Sequence, residues 1–66
     1  MIQVNSSNLQ AVDYDPKTNT LTIQFHHGSP YHYHGVPKKV FDELLRAPSK
    51  GHYHAMFIKD RYPFTK

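Results

Sequence analysis

The chain has 66 residues, of which eight are Lys or Arg, five are Asp or Glu, six are His and none is Cys. A chain of this length buries only about 60% of its unfolded surface, which excludes a two-domain enzyme with a cleft between its domains. The absence of Cys excludes a disulfide framework and a cysteine zinc site, and the net charge of +3 favours anionic partners only mildly.

No repeat or linker divides the sequence, so we expect a single domain over residues 1–66, with residues 1–5 as a flexible or edge segment. No apolar run approaches the roughly 20 residues needed to span a bilayer. The first residues also lack the charged start and apolar run of a signal peptide. From these features we expect a cytoplasmic protein without a membrane segment.

The first half of the chain carries the pattern of a three-stranded antiparallel meander. A strand is predicted over Asn8–Tyr14. Its apolar spacing slips from three to two, which indicates either a β-bulge near Gln10-Ala11 or a strand that begins late. A turn over residues 15–19 follows, and Thr20–Phe25 then alternates cleanly between polar and apolar residues. After a second turn, aromatic and imidazole side chains alternate over Tyr31–His34, which predicts a third strand.

The apolar period becomes helical in the second half. Four apolar residues recur at helical spacing over residues 40–45, and Pro48 stops this first helix. A second helix is predicted from an N-cap at Ser49 to near Arg61. Tyr53, Met56 and Phe57 are expected to share one face of this helix, with Ile58 beside that face. The predicted fold is α+β in the order β-β-β-α-α, with a small antiparallel meander followed by two helices packed on one face.

Histidines and catalytic motifs are the first candidates for chemistry. His32 and His34 on one strand would place both imidazoles on one face, as in a two-histidine metal clip. A structural zinc site needs four ligands, and no Cys or well-spaced carboxylate completes this set, so metal binding is the third hypothesis. No nucleophile elbow, phosphate loop or dinucleotide turn occurs, and we expect neither enzymatic activity nor an obligate cofactor.

Charge is distributed unevenly along the sequence. Residues 36–66 contain seven basic and three acidic residues, whereas residues 1–35 contain one basic and two acidic residues. This asymmetry favours a phosphate-binding face, and RNA binding is the leading hypothesis. Its predicted phosphate contacts are Arg46, Lys50, Lys59 and Arg61, and its predicted stacking groups are His52 and Tyr53.

Two other interpretations of the same residues stay open. The basic residues could simply form the solvated sides of two amphipathic helices. The domain could also be a protein-interaction or adaptor module that self-associates through an exposed sheet edge.

The aromatic residues Phe25, Tyr31 and Tyr33 also have two interpretations. They could form a stacking platform for bases, as on small β-sheet RNA binders. They could instead pack beneath the helices, which we favour because so short a chain needs its aromatic residues in the core. In that case His32 and His34 occupy the open face of the sheet, and that face is the free binding surface.

Several short motifs occur in an order that resembles the KTSC domain. They are Tyr31-x-Tyr33, Val36-Pro37 and Ser49-x-Gly51-x-Tyr53, and the resemblance covers roughly residues 6–66. The family is named for a carboxy-terminal extension of some lysyl-tRNA synthetases and includes stand-alone bacterial and phage proteins. The resemblance implies a domain of unknown function with RNA, including tRNA, as its suggested partner. The family usually has Phe-Asn where this chain has His54-Ala55.

Overall fold

The computed structural model describes all 66 residues and contains a five-stranded antiparallel sheet and two helices. The strands lie side by side in chain order: β1 (Ile2–Gln3), β2 (Leu9–Asp15), β3 (Thr20–Phe25), β4 (Tyr31–Tyr33) and β5 (Phe64–Thr65). Helices α1 (Lys38–Arg46) and α2 (Lys50–Phe57) connect β4 to β5. Neither helix is long and apolar enough to cross a membrane.

The α+β class is therefore confirmed, but the sheet has five strands and not the predicted three. The central meander matches the prediction, and of the two explanations for the slip in apolar spacing the structure supports the bulge, which is a register shift between Leu9 and Ala11. Asn19 in the first turn and Gly28 in the second both have positive φ. The two additional strands contain only two residues each, too few for a period of two to be visible in the sequence.

One face of the sheet forms the core together with the helices. Strand pairing places Tyr33 opposite Leu21 and Tyr31 opposite Ile23, so both tyrosines share the face of the buried β3 residues. Tyr33 is only 1% exposed, which confirms its prediction as a core residue, whereas Tyr31 is half-buried. The buried hydrophobic cluster comprises Leu9, Val12, Leu21, Ile23, Tyr33, Val36, Phe41, Leu44 and Ile58.

Helix α2 differs from its prediction in both length and burial. It ends at Phe57, because Ile58 leaves helical geometry with a φ of −121° and is fully buried in the core. Residues 58–62 then turn the chain toward β5. Tyr53 and Phe57 share a face as predicted, with their ring centroids 4.8 Å apart. This face is not covered by the rest of the molecule, because no residue of α2 is fully buried and Met56 and Phe57 are 54% and 48% exposed.

Candidate aromatic binding site

A cavity of about 360 Å³ lies between the sheet and the turn that follows α2. Four of its residues are aromatic and come from three different strands, and the others are polar or charged. We call it the aromatic cavity, and its lining residues are Phe25, His27, Tyr31, Tyr33, His54, Lys59, Asp60 and Phe64.

The aromatic walls of this cavity contact one another. The ring centroids of Tyr31 and Phe64 are 4.9 Å apart, and those of Tyr31 and Tyr33 are 6.1 Å apart. Phe25 meets Tyr31 edge-on at 5.4 Å. The pairing of Tyr33 with Phe64 across β4 and β5 sets this arrangement. Rings packed in this way present a fixed apolar surface on which a further flat ring can stack.

His54 and Tyr33 form a polar pair inside the cavity. His54 Nε2 lies 2.7 Å from the Tyr33 hydroxyl oxygen, and the imidazole meets the rings of Phe25 and Tyr33 at steep angles. Burial lowers the pKa of His54, Lys59 lowers it further, and Asp60 acts in the opposite direction. Burial also raises the pKa of Tyr33 to about 12, with smaller contributions from Tyr31 and Asp60. Both groups are therefore uncharged near neutral pH.

The rim of the cavity carries charges of both signs. Lys59 and Asp60 are consecutive residues of the turn after α2, and both are exposed. Lys66 Nζ lies 4.6 Å from the centroid of the Tyr31 ring, which is a cation–π contact. The cavity lining thus combines an aromatic stacking surface with one ammonium group and one carboxylate, and a second ammonium group lies over the Tyr31 ring.

A second cavity of about 420 Å³ adjoins the first and shares Phe25, His27 and His54 with it. Its remaining lining residues are Ser7, Asn8, His26 and Gly51, so its surface is mainly polar. Gly51 approaches the loop before β2 closely, because a Cβ at this position would lie 2.5 Å from Asn8 Nδ2. The absence of a Cβ at Gly51 thus lets α2 lie close to that loop.

The structure separates the residues predicted to bind nucleic acid. Lys59 lines the aromatic cavity, and Arg61 is exposed in the same turn. Arg46 and His52 are also exposed, at the end of α1 and near the start of α2. No cavity brings these two together with Lys59.

Lys50 and Tyr53 have partners within the protein. Lys50 Nζ donates to the Ala47 carbonyl at 3.2 Å, and the Tyr53 hydroxyl donates to the Glu43 carboxylate at 2.8 Å. Burial, followed by this hydrogen bond to Glu43, raises the pKa of Tyr53 to about 12. The Tyr53 contact joins α2 to the body of α1, and the Lys50 contact joins α2 to the residue that follows α1. Both side chains therefore take part in packing the two helices together.

The histidines in and just after β4 also have partners within the protein. His32 Nδ1 lies 2.9 Å from Thr22 Oγ1, and His34 Nε2 lies 3.0 Å from Thr65 Oγ1. No three His, Asp or Glu side chains lie close enough together to hold a metal ion. The aromatic cavity lies on the tyrosine side of the sheet, and the expectation that the histidine face is the free binding surface stays a prediction.

Sequence reasoning did not assign His54 or Phe64 to a site. Phe64 lies in a two-residue strand, where no pattern marks it. His54 stands where the family that the sequence resembles usually has Phe, and this difference was the one feature of the sequence that pointed to His54.

Comparisons with known proteins include several synthetases. A lysine–tRNA ligase of Nostoc sp. is 42% identical over 66 residues, which are the whole of this chain and 12% of that protein. A lysine–tRNA ligase of Nostoc punctiforme is 41% identical over the same share of each protein. The chain thus spans about an eighth of the length of these curated relatives.

Other relatives have the size of this chain. A protein of Tsukamurella paurometabola is 40% identical over 94% of this chain and 92% of its own length, so stand-alone relatives exist. The crystal structure of a KTSC domain protein from Yersinia pestis has a TM-score of 0.94 and 34% identity, covering 97% of this chain and 90% of that one. Residues 5–62 match the KTSC domain. The chain therefore belongs to the KTSC domain family, as its motifs predicted.

Proposed function

We propose that this KTSC domain binds RNA, with an unpaired base stacked in the aromatic cavity and phosphates held by the surrounding cations. The observation that carries the proposal is the open cavity of four aromatic rings with Lys59 at its rim and Lys66 above Tyr31. Proteins recognise single-stranded RNA mainly by stacking its bases on aromatic rings, while basic residues follow the backbone. The cavity offers both kinds of contact in one place.

The cations near the cavity are the proposed primary phosphate contacts. Lys59, Arg61 and Lys66 are exposed and lie in or beside the segment that closes the cavity. Arg46 and Lys50 are proposed as secondary contacts further along the helices. We propose Tyr31 and Phe64 as the stacking residues in place of Tyr53, because the Tyr53 hydroxyl is bound to Glu43.

The relatives support RNA as the class of partner. The Nostoc proteins are lysine–tRNA ligases, and each includes a segment similar to the whole of this chain. A tRNA is therefore one RNA that we propose to test directly. The proposal describes a binding module and includes no catalytic step, and the cytoplasmic location expected from the sequence stays a prediction.

Binding of labelled tRNA and of a labelled single-stranded RNA tests this proposal at roughly 50 and 200 mM salt. Phe64→Ala should weaken binding about 5- to 160-fold, the equivalent of the roughly 1–3 kcal/mol that one stacked base contributes. Phe57→Ala is the matched control, because Phe57 is exposed to the same degree (48% against 47%) but lies outside the cavity. Arg61→Ala, at an exposed position of the turn after α2, should weaken binding to every RNA and reduce the salt dependence by about one phosphate contact.

Two results would contradict the proposal. One is the absence of RNA binding at the lower salt concentration. The other is an equal effect of Phe64→Ala and Phe57→Ala, because the aromatic cavity would then have no special part in binding.

A protein-interaction role is the second candidate, and one observation favours it. Met56 and Phe57 are neighbouring apolar residues of α2 that remain about half exposed. The sheet edges suit self-association less well, since β1 and β5 contain two residues each and short edge strands resist further pairing. Sedimentation over a range of protein concentrations tests this candidate, and a monomer throughout would contradict self-association.

A further inference from the structure

The rim of the aromatic cavity includes a carboxylate that the fold leaves without a partner. Asp60 is exposed and lines the cavity, whereas the ion pair of the molecule joins Lys38 to Asp42 on α1. An ionised carboxylate offers two acceptor oxygens and no donor. It repels phosphate, so a favourable contact of Asp60 with RNA needs hydrogen-bond donors. The ribose offers a single 2′-hydroxyl donor, whereas a base can offer two donors side by side.

The RNA bases differ in the donors that they offer to such a carboxylate. Guanine has two adjacent N–H groups on its Watson–Crick edge, at N1 and N2, and a carboxylate can accept both at once, as it does from a guanidinium fork. Adenine and cytosine each pair one amino group with an unprotonated ring nitrogen. Uracil places its single N–H between two carbonyl oxygens. Only guanine therefore satisfies both oxygens of one carboxylate through this edge.

Lys59 supplies the complementary group beside Asp60. It precedes Asp60 in the same turn and lines the same cavity. Guanine O6 is adjacent to N1–H and is an acceptor, which an ammonium group can donate to. The rim thus offers a donor next to a bidentate acceptor, which matches the order O6, N1–H, N2–H along the guanine edge.

From this chemistry we infer that the aromatic cavity selects an unpaired guanine. Tyr31 and Phe64 stack on the base, Asp60 accepts from N1–H and N2–H, and Lys59 donates to O6. Lys59 then contacts the base, and Arg61 and Lys66 are left as the primary phosphate contacts. This inference rests on the proposed function of the cavity as a base-binding site, and it adds the identity of the base.

The test uses the intact protein and short single-stranded RNAs of about seven uridines, within the span of one small RNA-binding fold. The central uridine is replaced in turn by guanosine, inosine, adenosine or cytidine. The guanosine probe should bind about 5- to 160-fold more tightly than the uridine, adenosine and cytidine probes, the range expected for one bidentate base contact. The inosine probe, which lacks the 2-amino group, should lie between them.

Asp60→Asn should abolish the preference for guanosine, because an amide offers one acceptor and a donor where the carboxylate offers two acceptors. Asp13→Asn is the matched control, since it changes the net charge equally at an exposed position of β2 that lines neither cavity. If the preference for guanosine is as strong in Asp60→Asn as in Asp13→Asn, Asp60 is not the residue that selects guanine.

The outcomes separate this inference from the proposed function. Equal affinity for all five probes, with binding still lost in Phe64→Ala, would overturn guanine selection and leave RNA binding in place. No binding of any probe or of tRNA would overturn both.

Discussion

Lowering the pH from about 7.5 to 5.5 should destabilise the fold through His54, whose imidazole is half-buried against Tyr33 and Phe25. Burial and the charge of Lys59 lower its pKa below the value of about 6.5 that it has in the unfolded chain, although Asp60 opposes them. Below about pH 6.5 the unfolded chain therefore binds a proton that the folded protein does not. The free energy of unfolding must then decrease as the pH falls.

The size of this effect follows from linkage. The loss amounts to at most about 1.4 kcal/mol for each pH unit between the unfolded and folded pKa of His54, and it stops below the folded value. A domain of this length has a total stability of roughly 3–10 kcal/mol. Each unit by which folding lowers the pKa of His54 thus removes a substantial fraction of the stability, and a urea titration can resolve a loss of that size.

Urea unfolding followed by circular dichroism at a series of pH values measures the effect. His54→Phe alone leaves the Tyr33 hydroxyl without its partner at a site only 1% exposed, which costs about 1–3 kcal/mol at every pH. The double variant Tyr33→Phe/His54→Phe removes both polar groups and is the better comparison. It should show a smaller loss between about pH 6.5 and 5.5 than the unmodified protein.

The other five histidines are present in both proteins, so their contributions cancel in this comparison. An equal loss of stability in the two proteins would refute the reasoning. His54 would then have the same proton affinity in the folded and unfolded states.

The parts of the fold that were predicted correctly depend on short stretches of sequence. The alternation over Thr20–Phe25 locates β3, and the slip in apolar spacing after Leu9 locates the bulge of β2. Ser49 caps α2 as expected, since its hydroxyl accepts from the His52 N–H at 3.3 Å. In each case the deciding signal is the order of polar and apolar residues, or of a capping residue, within one short segment of the chain.

The cavity could not be predicted in this way because distant segments build it. Phe64 joins the wall only through its pairing with Tyr33, which lies 31 positions earlier. The exposed side of α2 was missed for a related reason. The core position near its end is filled by Ile58, after the helix has ended, so Met56 and Phe57 are left outside. Helical periodicity does not show which side the rest of the molecule covers.

Because α2 buries none of its own residues completely, its place in the fold should depend on its two ends, and two substitutions test this. Ile58→Ala should lower the free energy of unfolding by about 2–5 kcal/mol, since it empties a fully buried site, whereas Met56→Ala at a 54% exposed site should change it by less than about 0.5 kcal/mol. Equal losses in urea unfolding would show that Ile58 does not anchor the helix. At the other end, Ser49→Ala should cost about 0.5–2 kcal/mol by removing the cap on the His52 N–H, and Ser49→Asp should retain most of the stability. Identical urea midpoints for Ser49→Ala and Ser49→Asp would contradict the cap, because only the Asp variant keeps an acceptor for that N–H.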